Sequence, residues 1–430
     1  MDPQRTSAFI ALICLGAFAA APVLAEEPDA PAAPPAEPTP PANPWDREGF
    51  GWGGVPALAY NSDDGFGGGL LASVYRYDGG TAPYKWSSTV LLYVTTKQVH
   101  THRVDFDFIE VADLPLRLTT RAEFSSTRSA NYCGLDPSRP CALADAQALA
   151  DQLELSRQAE EDLISRYHKV RLIQPNGLIS ARYAIDPMPH RVELMLAWWG
   201  SAFIPGDFDV RVPFPNSLYA LDNPGGEEGF SSVLQTGVMV DNRDNEPAPR
   251  TGYWVEGTVR GASKLWGSDW DWFGYNTTLR GYLPFNKSKR LVGAGRLVAD
   301  GILGESAFLD ETRIGGSQIY ETFGGQRSGR GVRLRGVAGK VRFIAQPELR
   351  WTFSSFKVSK ANIDLTAIAF SDVGWLAQDW SNLDNNALLL TEGLGMRWAF
   401  NKNFIIRTDV GFAAREEFAP GIYIDVGNLW

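Results

Sequence analysis

The sequence of 430 residues has no long hydrophobic run after residue 25. A transmembrane helix needs about 20 consecutive apolar residues, so a helical membrane protein is excluded. The formal net charge of −10 also argues against a nucleic-acid partner, because nucleic-acid-binding proteins present basic surfaces. The chain is therefore either soluble or crosses a membrane through β-strands, which hydropathy does not detect.

The first feature that the chain does contain is an export signal. Residues 1–25 carry one early arginine, an apolar core, and small side chains at Val23 and Ala25, which is the pattern of a secretory signal peptide. Residues 26–51 are rich in proline and alanine and include several acids. We expect them to form an extended, Pro-rich periplasmic spacer, which leaves no room for a folded domain before residue 52.

Cysteine and histidine are scarce, with three and four residues. In an exported chain, Cys133 and Cys141 in "YCGLDPSRPC" predict a local disulfide; their spacing does not suit a zinc site, and no histidine is near in sequence. His100 and His102 share their alternation with Phe106, which predicts a lipid-facing position rather than a metal site. No GxSxG nucleophile motif is present. We therefore expect no catalytic residue, metal or cofactor, and the protein is predicted not to be an enzyme.

Residues 52–430 consist largely of segments in which apolar and polar side chains alternate, as in "VRFIAQPELRWTF" from Val341. Alternation means that the two faces of a strand meet different surroundings. A soluble sandwich would bury the apolar face, whereas a membrane barrel turns it to lipid; the export signal and the Trp and Tyr residues near strand ends favour the barrel. We predict an all-β fold, a single transmembrane antiparallel β-barrel of about sixteen strands, with strands at 361–374 and 387–400 among them.

The predicted connections alternate between tight turns and long loops, as in outer-membrane barrels. The long connections span 127–167, 204–228 and 303–338, and counting strands from the periplasm places them outside the cell. The first of these contains both cysteines and the one clear helical stretch, which predicts a surface helix capping the barrel; a partner-binding helix is the alternative. The last predicted strand, 420–430, ends on Trp430, like the aromatic C-terminal assembly signal of outer-membrane proteins.

The loop at 303–338 runs into the strongly basic stretch "RSGRGVRLRGVAGK" in a chain that is acidic overall. The two strands that follow carry Glu348 and Asp372 on the polar, lumen-facing alternation. An arginine inside a barrel is costly unless its planar donors find carboxylates. We expect the loop to fold inward, Arg335 to pair with Glu348 or Asp372, and Gly336 to allow close backbone approach. The alternative is a solvated basic loop that attracts lipopolysaccharide phosphates.

Several short motifs resemble those of the BamA/TamA superfamily, also called bacterial surface antigens. "LRGV" at 334–337 resembles the Val-Arg-Gly-Phe/Tyr motif of that family's sixth extracellular loop, and "PELRWTF" and "FSDVG" resemble the two strands that follow it. "GLGMRW" and "RTDVGF" also resemble the last strands of the family. The resemblance implies a sixteen-stranded barrel with an inward sixth loop, in which Arg335 is the motif arginine and Glu348 and Asp372 are its partners. The family's POTRA domains have no counterpart in residues 26–51.

Residues 241–252, "DNRDNEPAPRTG", resemble a periplasmic turn of the same family. Charged side chains in such a turn satisfy backbone amides and one another, and a docking site for a periplasmic partner is the alternative. The motif residues are Asp241, Arg243, Asp244, Pro249 and Gly252.

These features together predict a protein of the cell outer membrane that aids insertion or transport of protein or lipid. The alternative is a passive outer-membrane channel or structural surface antigen without insertase activity. The expected partners are outer-membrane lipid and lipopolysaccharide, the assembly machinery that inserts the barrel itself, and a protein or lipid client.

Overall fold

The alternating segments form one closed antiparallel β-barrel, in which each strand pairs with the next and the last pairs with the first. The computed structural model describes residues 48–430 except 82, 186–190, 207–216, 224–227, 359–360 and 401–403. The predicted signal peptide and most of the predicted spacer lie outside this range. The described strands are β1 (Glu48–Asn61), β2 (Gly65–Asp78), β3 (Trp86–Thr95), β4 (Val99–Phe108), β5 (Leu116–Asn131), β6 (Lys169–Ile185), β7 (Arg191–Gly206), β8 (Gly229–Asp241), β9 (Gly252–Ala262), β10 (Trp272–Pro284), β11 (Leu291–Gly304), β12 (Val341–Val358), β13 (Ala361–Asp379), β14 (Asn382–Phe400), β15 (Phe404–Ala413) and β16 (Gly421–Val426). The predicted fold class is confirmed.

The two faces of the barrel wall differ as the alternation predicts. On β12, Arg342 and Gln346 point inward and are fully buried, whereas Phe343 and Trp351 point outward and are about half exposed. The outer face as a whole carries exposed large apolar side chains, which a soluble protein would bury and a membrane barrel presents to lipid. They include Leu70, Leu92, Phe106, Leu196, Leu234, Phe273, Leu297, Leu349, Leu388 and Leu394.

The connections differ between the two ends of the barrel, which we call the loop end and the turn end. At the loop end, loop 1 covers residues 62–64, loop 3 covers 132–168, loop 6 covers 305–340 and loop 8 covers 414–420. The stretch predicted to be helical forms two helices of loop 3, and short helices lie in the fourth and sixth loops: α1 (Leu143–Gln152), α2 (Arg157–Arg166), α3 (Leu218–Asp222) and α4 (Phe308–Glu311). Among the described residues, no helix has the length and apolarity needed to cross a membrane.

The helices of loop 3 close over the loop end through a shared apolar core. Tyr132, Ala146 and Leu163 of loop 3 pack with Tyr219 of α3 and Phe308 of loop 6. This core joins loops that are distant in sequence, so the loop end is capped by one packed layer.

Several strand boundaries differ from those predicted. β1 begins at Glu48 inside the predicted spacer, because its pairing with β2 continues to the pair of Glu48 with Asp78. β13 and β14 extend through 375–386, where Asp379 accepts the amide of Ser381 at 2.9 Å and closes a tight turn. β16 ends at Val426 instead of residue 430.

Candidate functional site: an arginine held inside the barrel

Loop 6 runs inside the barrel and is held against the wall by buried polar contacts. The amide of Ser317 donates to Glu256 at 2.9 Å, and the amide of Gly315 donates to Asp300 at 3.0 Å. Asp300 is also bound by Arg342 at 2.9 Å. A buried carboxylate with several donors is satisfied without water, so the inward folding predicted for this loop is confirmed.

The most deeply held side chain of loop 6 is Arg330, which has no solvent exposure. Its Nε and Nη2 donate to the two oxygens of Asp372 at 2.9 and 2.8 Å, and its Nη1 donates to Glu348 at 2.8 Å. The guanidinium carbon lies 3.4 Å from the centre of the Phe370 ring. A bidentate carboxylate pair combined with an aromatic face fixes the guanidinium plane.

The carboxylates around Arg330 are shared with arginines of the neighbouring strands. Glu348 also accepts from Arg350 at 2.9 Å, and Asp409 accepts from Arg397 at 2.7 Å while lying 3.5 Å from Arg330. These contacts join loop 6 to β12, β13, β14 and β15. We call the six residues the Arg330 cluster; its three acids and three arginines balance in charge: Arg330, Glu348, Arg350, Asp372, Arg397 and Asp409.

The prediction that Arg335 binds these carboxylates is wrong. Arg335 lies near the loop end, where its nearest carboxylate oxygen belongs to Glu321 at 3.8 Å. The tripeptide Arg-Gly-Val occurs twice in the loop, at 330–332 and at 335–337. Sequence alone does not tell how deep each part of loop 6 lies in the lumen. In the structure the first Arg-Gly-Val copy, at 330–332, lies at the depth of Glu348 and Asp372. Glu348 and Asp372 do lie together on the lumen wall.

Gly331 explains why the first copy fits at this position. Its backbone has φ +110°, and an added Cβ would lie 2.8 Å from the backbone of Gly411 on β15, so only glycine is accommodated. Its amide donates to the hydroxyl of Tyr423 on β16 at 3.0 Å, a contact that sequence reasoning missed. Gly336, the glycine predicted for this role, instead offers its carbonyl to Arg415 of loop 8 at 3.4 Å.

The seam between β1 and β16 is paired over only a short length. β1 pairs with β2 along all of Glu48–Asn61, but within the described residues it meets β16 at two positions, Tyr60 with Ile424 and Asn61 with Tyr423. Glu48–Ala59 therefore has no strand partner on the seam side among the residues that the structure describes. Pro56 within it cannot donate a ladder hydrogen bond.

The C-terminal residues leave the wall and enter the lumen at the turn end. Gly427 has φ +95°, and after this bend Trp430 is 7% exposed, with its ring centre 5.8 Å from that of Tyr282. The guanidinium of Arg350 lies 4.9 Å from the same ring. The prediction that Trp430 ends the last strand is wrong, whereas its role as an assembly signal stays a prediction.

The predicted turn motif satisfies its own charges. Arg243 donates to both oxygens of Asp241, at 2.9 and 2.8 Å. Asp244 accepts the amides of Arg250 and Thr251 at 2.9 and 3.1 Å. Burial raises the pKa of Asp244, but the hydrogen bonds from these amides lower it by more than burial raises it. The pKa of Asp244 is therefore below its usual value. The geometry agrees with a structural turn, since these charges have partners within it.

The end of the same turn is fixed by glycine and proline. Gly252 has φ +97°, and an added Cβ would lie 2.0 Å from the carbonyl oxygen of Asn242. Pro249 is buried, and the neighbouring Arg250 donates to Asp364 of β13 at 2.9 Å. This last contact ties the turn to the strand that carries Asp372.

The two cysteines close a small loop at the loop end. Cys133 and Cys141 are bonded, with Cα atoms 5.0 Å apart, and the segment between them is held by Arg415 of loop 8, whose Nη1 donates to the carbonyl of Pro137 at 2.8 Å. His100, on the outward alternation of β4, contributes to neither this loop nor the lumen.

Comparisons with known proteins agree with this geometry. The profile of the Omp85 superfamily domain matches residues 208–428. The structure is similar to that of BamA from Haemophilus ducreyi lacking POTRA domains 1–3, at 13% identity and TM-score 0.54, over 89% of this chain and 70% of that one. It is also similar to CdiB from Escherichia coli, at 10% identity and TM-score 0.57, over 87% of this chain and 62% of that one, less than two thirds. No curated protein sequence matches the chain.

Proposed function

This chain belongs to the Omp85 superfamily, and on that premise we propose that it aids insertion or transport of protein or lipid across the outer membrane through its β1–β16 seam. The loop end then faces outside the cell and the turn end faces the periplasm. The partners are outer-membrane lipid and lipopolysaccharide, the machinery that assembles the barrel, and a protein or lipid client.

The observation that carries the proposal is the unpaired length of β1. Backbone N–H and C=O groups in a membrane must be satisfied, because lipid tails offer no hydrogen bonds. Glu48–Ala59 presents such groups on the seam side without a strand partner among the described residues. A client strand that pairs with this edge satisfies its own backbone and that of β1 together.

The Arg330 cluster supports the proposal by holding the other side of the seam. It fixes loop 6 to β12 through β15, and Gly331 and Tyr423 extend the connection to β16. β1 has no comparable contact with the cluster in the described part of the chain. Opening of the seam therefore requires movement of β1, while β16 stays attached to the rigid wall.

The test places purified protein in liposomes and follows the folding of an unfolded outer-membrane client, with empty liposomes for comparison. The variant Tyr60→Cys with Ile424→Cys joins the paired ends of β1 and β16 under oxidation. We expect the unmodified protein to accelerate client folding, the oxidised variant to lose the acceleration, and a reductant to restore it.

The matched control is Leu194→Cys with Val238→Cys, a pair on β7 and β8 that faces outward in the same way, far from the seam. It should retain acceleration whether oxidised or reduced. Acceleration that survives the seam disulfide would reject the seam mechanism, and absence of acceleration by the unmodified protein would reject the insertion function.

A passive channel is the second candidate, and one observation favours it. The lumen-facing side chains of β4 and β5 are partly open to water, with Arg103 28% and Arg121 39% exposed. A water-lined inner face is the feature by which barrels conduct solutes. Steady leakage of small solutes from the same liposomes, without client folding, would support the channel over the insertion function.

A further inference from the structure

The disulfide of loop 3 has a third neighbour that the sequence spacing conceals. A ring nitrogen of His168 and the sulfurs of Cys133 and Cys141 all lie within 4.8 Å of one another. His168 follows both helices of loop 3 and returns beside the cysteines because its carbonyl accepts the amide of Tyr132 at 3.0 Å. The fold thus assembles two sulfurs and an imidazole at the loop end.

The imidazole of His168 is buried, and only one of its two ring nitrogens has a hydrogen-bond partner among the described residues. His168 is 8% exposed, and its Nε2 is bonded to the carbonyl of Ala142 at 2.9 Å. Its Nδ1 is buried and has no hydrogen-bond partner in the part of the chain that the structure describes. Leaving such an atom buried without a partner destabilises the fold. A structural disulfide needs only the two sulfurs, so it does not account for this side chain.

We propose that the reduced form of this site binds one zinc ion through the sulfurs of Cys133 and Cys141 and the imidazole of His168. Two thiolates and one imidazole are a zinc ligand set, and a water molecule completes the tetrahedron. Zinc at about 2.3 Å from each sulfur holds the sulfurs about 3.8 Å apart. The Cα separation of 5.0 Å accommodates that distance through side-chain rotation.

The metal-binding form arises when the disulfide between Cys133 and Cys141 is reduced. A dithiol reductant gives two electrons and two protons to the disulfide, which yields two thiols and the oxidised, cyclic form of the reductant. Zinc then displaces both thiol protons to solvent as two zinc–sulfur bonds form. In both the disulfide form and the zinc-bound form, the two cysteines stay linked and the loop of residues 134–140 keeps its shape, so Arg415 keeps its contact with Pro137. The reduced, metal-free form has no such link.

The test uses the full chain in detergent micelles, reduced with a dithiol that is then removed without oxygen. Cobalt(II) is the probe, because it takes tetrahedral zinc sites and absorbs visible light. We expect one equivalent to produce thiolate charge-transfer and tetrahedral bands that zinc abolishes. His168→Gln should weaken cobalt binding at least about tenfold, and His100→Gln, on the outer face of β4, should leave it unchanged.

Absence of these bands would overturn the proposal, as would equal binding by His168→Gln. Binding that persists in the double variant Cys133→Ser with Cys141→Ser would also overturn it, as adventitious metal at other side chains. A second readout needs no variant: zinc should slow alkylation of the two loop cysteines at least about tenfold, measured on their peptides. Equal alkylation rates with and without zinc would count against the site.

Discussion

Arg330 brings a full positive charge into the lumen, and the cost of that burial explains its surroundings. Removing an ion from water costs several kcal/mol, which only close and well-directed partners offset. Asp372 and Glu348 bind all three guanidinium nitrogens of Arg330 at 2.8–2.9 Å. By the same argument, removal of either the arginine or one of its carboxylates should destabilise the fold, because each leaves the opposite charge buried without a partner.

Arg330→Ala should lower the free energy of unfolding by about 3–5 kcal/mol, because it leaves buried carboxylates unpaired. Arg335→Ala is the matched control in the same loop, and its loss should stay below about 1 kcal/mol, since its 3.8 Å contact with Glu321 is loose. Urea unfolding of the two variants in micelles measures both. Similar losses for the two would contradict the assignment of Arg330.

Asp63 of loop 1 should make the stability of the fold depend on pH. Burial raises its pKa to about 6, against the opposing hydrogen bond from the amide of Leu334 and the charge of Lys169, while Asp64 and Glu416 raise it further. Because the folded pKa lies above the unfolded value of about 4, this group stabilises the fold at low pH, and its contribution is lost as pH rises through about 6.

The unfolding midpoint in urea, measured between pH 4.5 and 7.5, checks this contribution. Asp63→Asn keeps an acceptor for Leu334 but has no charge, so the fall in stability across that range should be smaller than in the unmodified chain. Identical pH profiles for the two proteins would show that Asp63 contributes nothing.

At this scale the sequence predicted chemistry better than position. The pairing of a loop arginine with Glu348 and Asp372 followed from charge and alternation, but the choice between two Arg-Gly-Val copies depends on the path of the loop through the lumen. His168 was missed for a similar reason, since two helices separate it from the cysteines in sequence and the fold removes that separation.

At the scale of elements, the seam is the least satisfied part of the wall. β13 is paired on both sides, with β12 and β14, whereas within the described residues β1 is paired along its length with β2 alone. A strand whose backbone groups lack partners on one side separates from its neighbour at a low cost in free energy. The two strands should therefore differ in local stability.

Hydrogen exchange followed by mass spectrometry should show this difference. We expect amides of Glu48–Ala59 to exchange at least about a hundredfold faster than those of β13, because a strand with one partner opens locally at low cost. β2 is the internal control, since it is paired on both sides. Equal protection of β1 and β13 would mean that the seam is closed in solution.

Most strands could be located from sequence, because alternation with period two is a strong signal. The exceptions share a cause. β1 begins in glycine-rich residues that carry little alternation, and the turn between β13 and β14 lies among polar residues that also suit a loop. In both places pairing with a neighbour, which sequence does not contain, sets the boundary.

At the scale of the whole molecule, loop 6 divides the lumen into two unlike halves. Phe323 and Val332 of loop 6 pack on the wall from β11 to β15, and Ile319 packs on the wall from β7 to β11. Val298 on that wall is 3% exposed, whereas Leu91 on β3 is partly open. The open half lies next to the seam.

Cysteine accessibility should map this division. Leu91→Cys and Val298→Cys both point into the lumen, and a small, charged thiol reagent should modify the first at least about tenfold faster, because thiol modification requires access for the reagent. The rates are measured by mass on the folded barrel in micelles, and equal rates would contradict an open half beside β1.

The unpaired edge of β1 has a consequence for selectivity. An edge of this kind offers only peptide groups, which are the same in every polypeptide, so it recognises a conformation and not a sequence. Under the proposed function, the seam therefore accepts strands regardless of their sequence. Discrimination among clients would then come from the side chains that a strand passes before it reaches the edge, and mutations there should change which clients are accepted without changing how they pair.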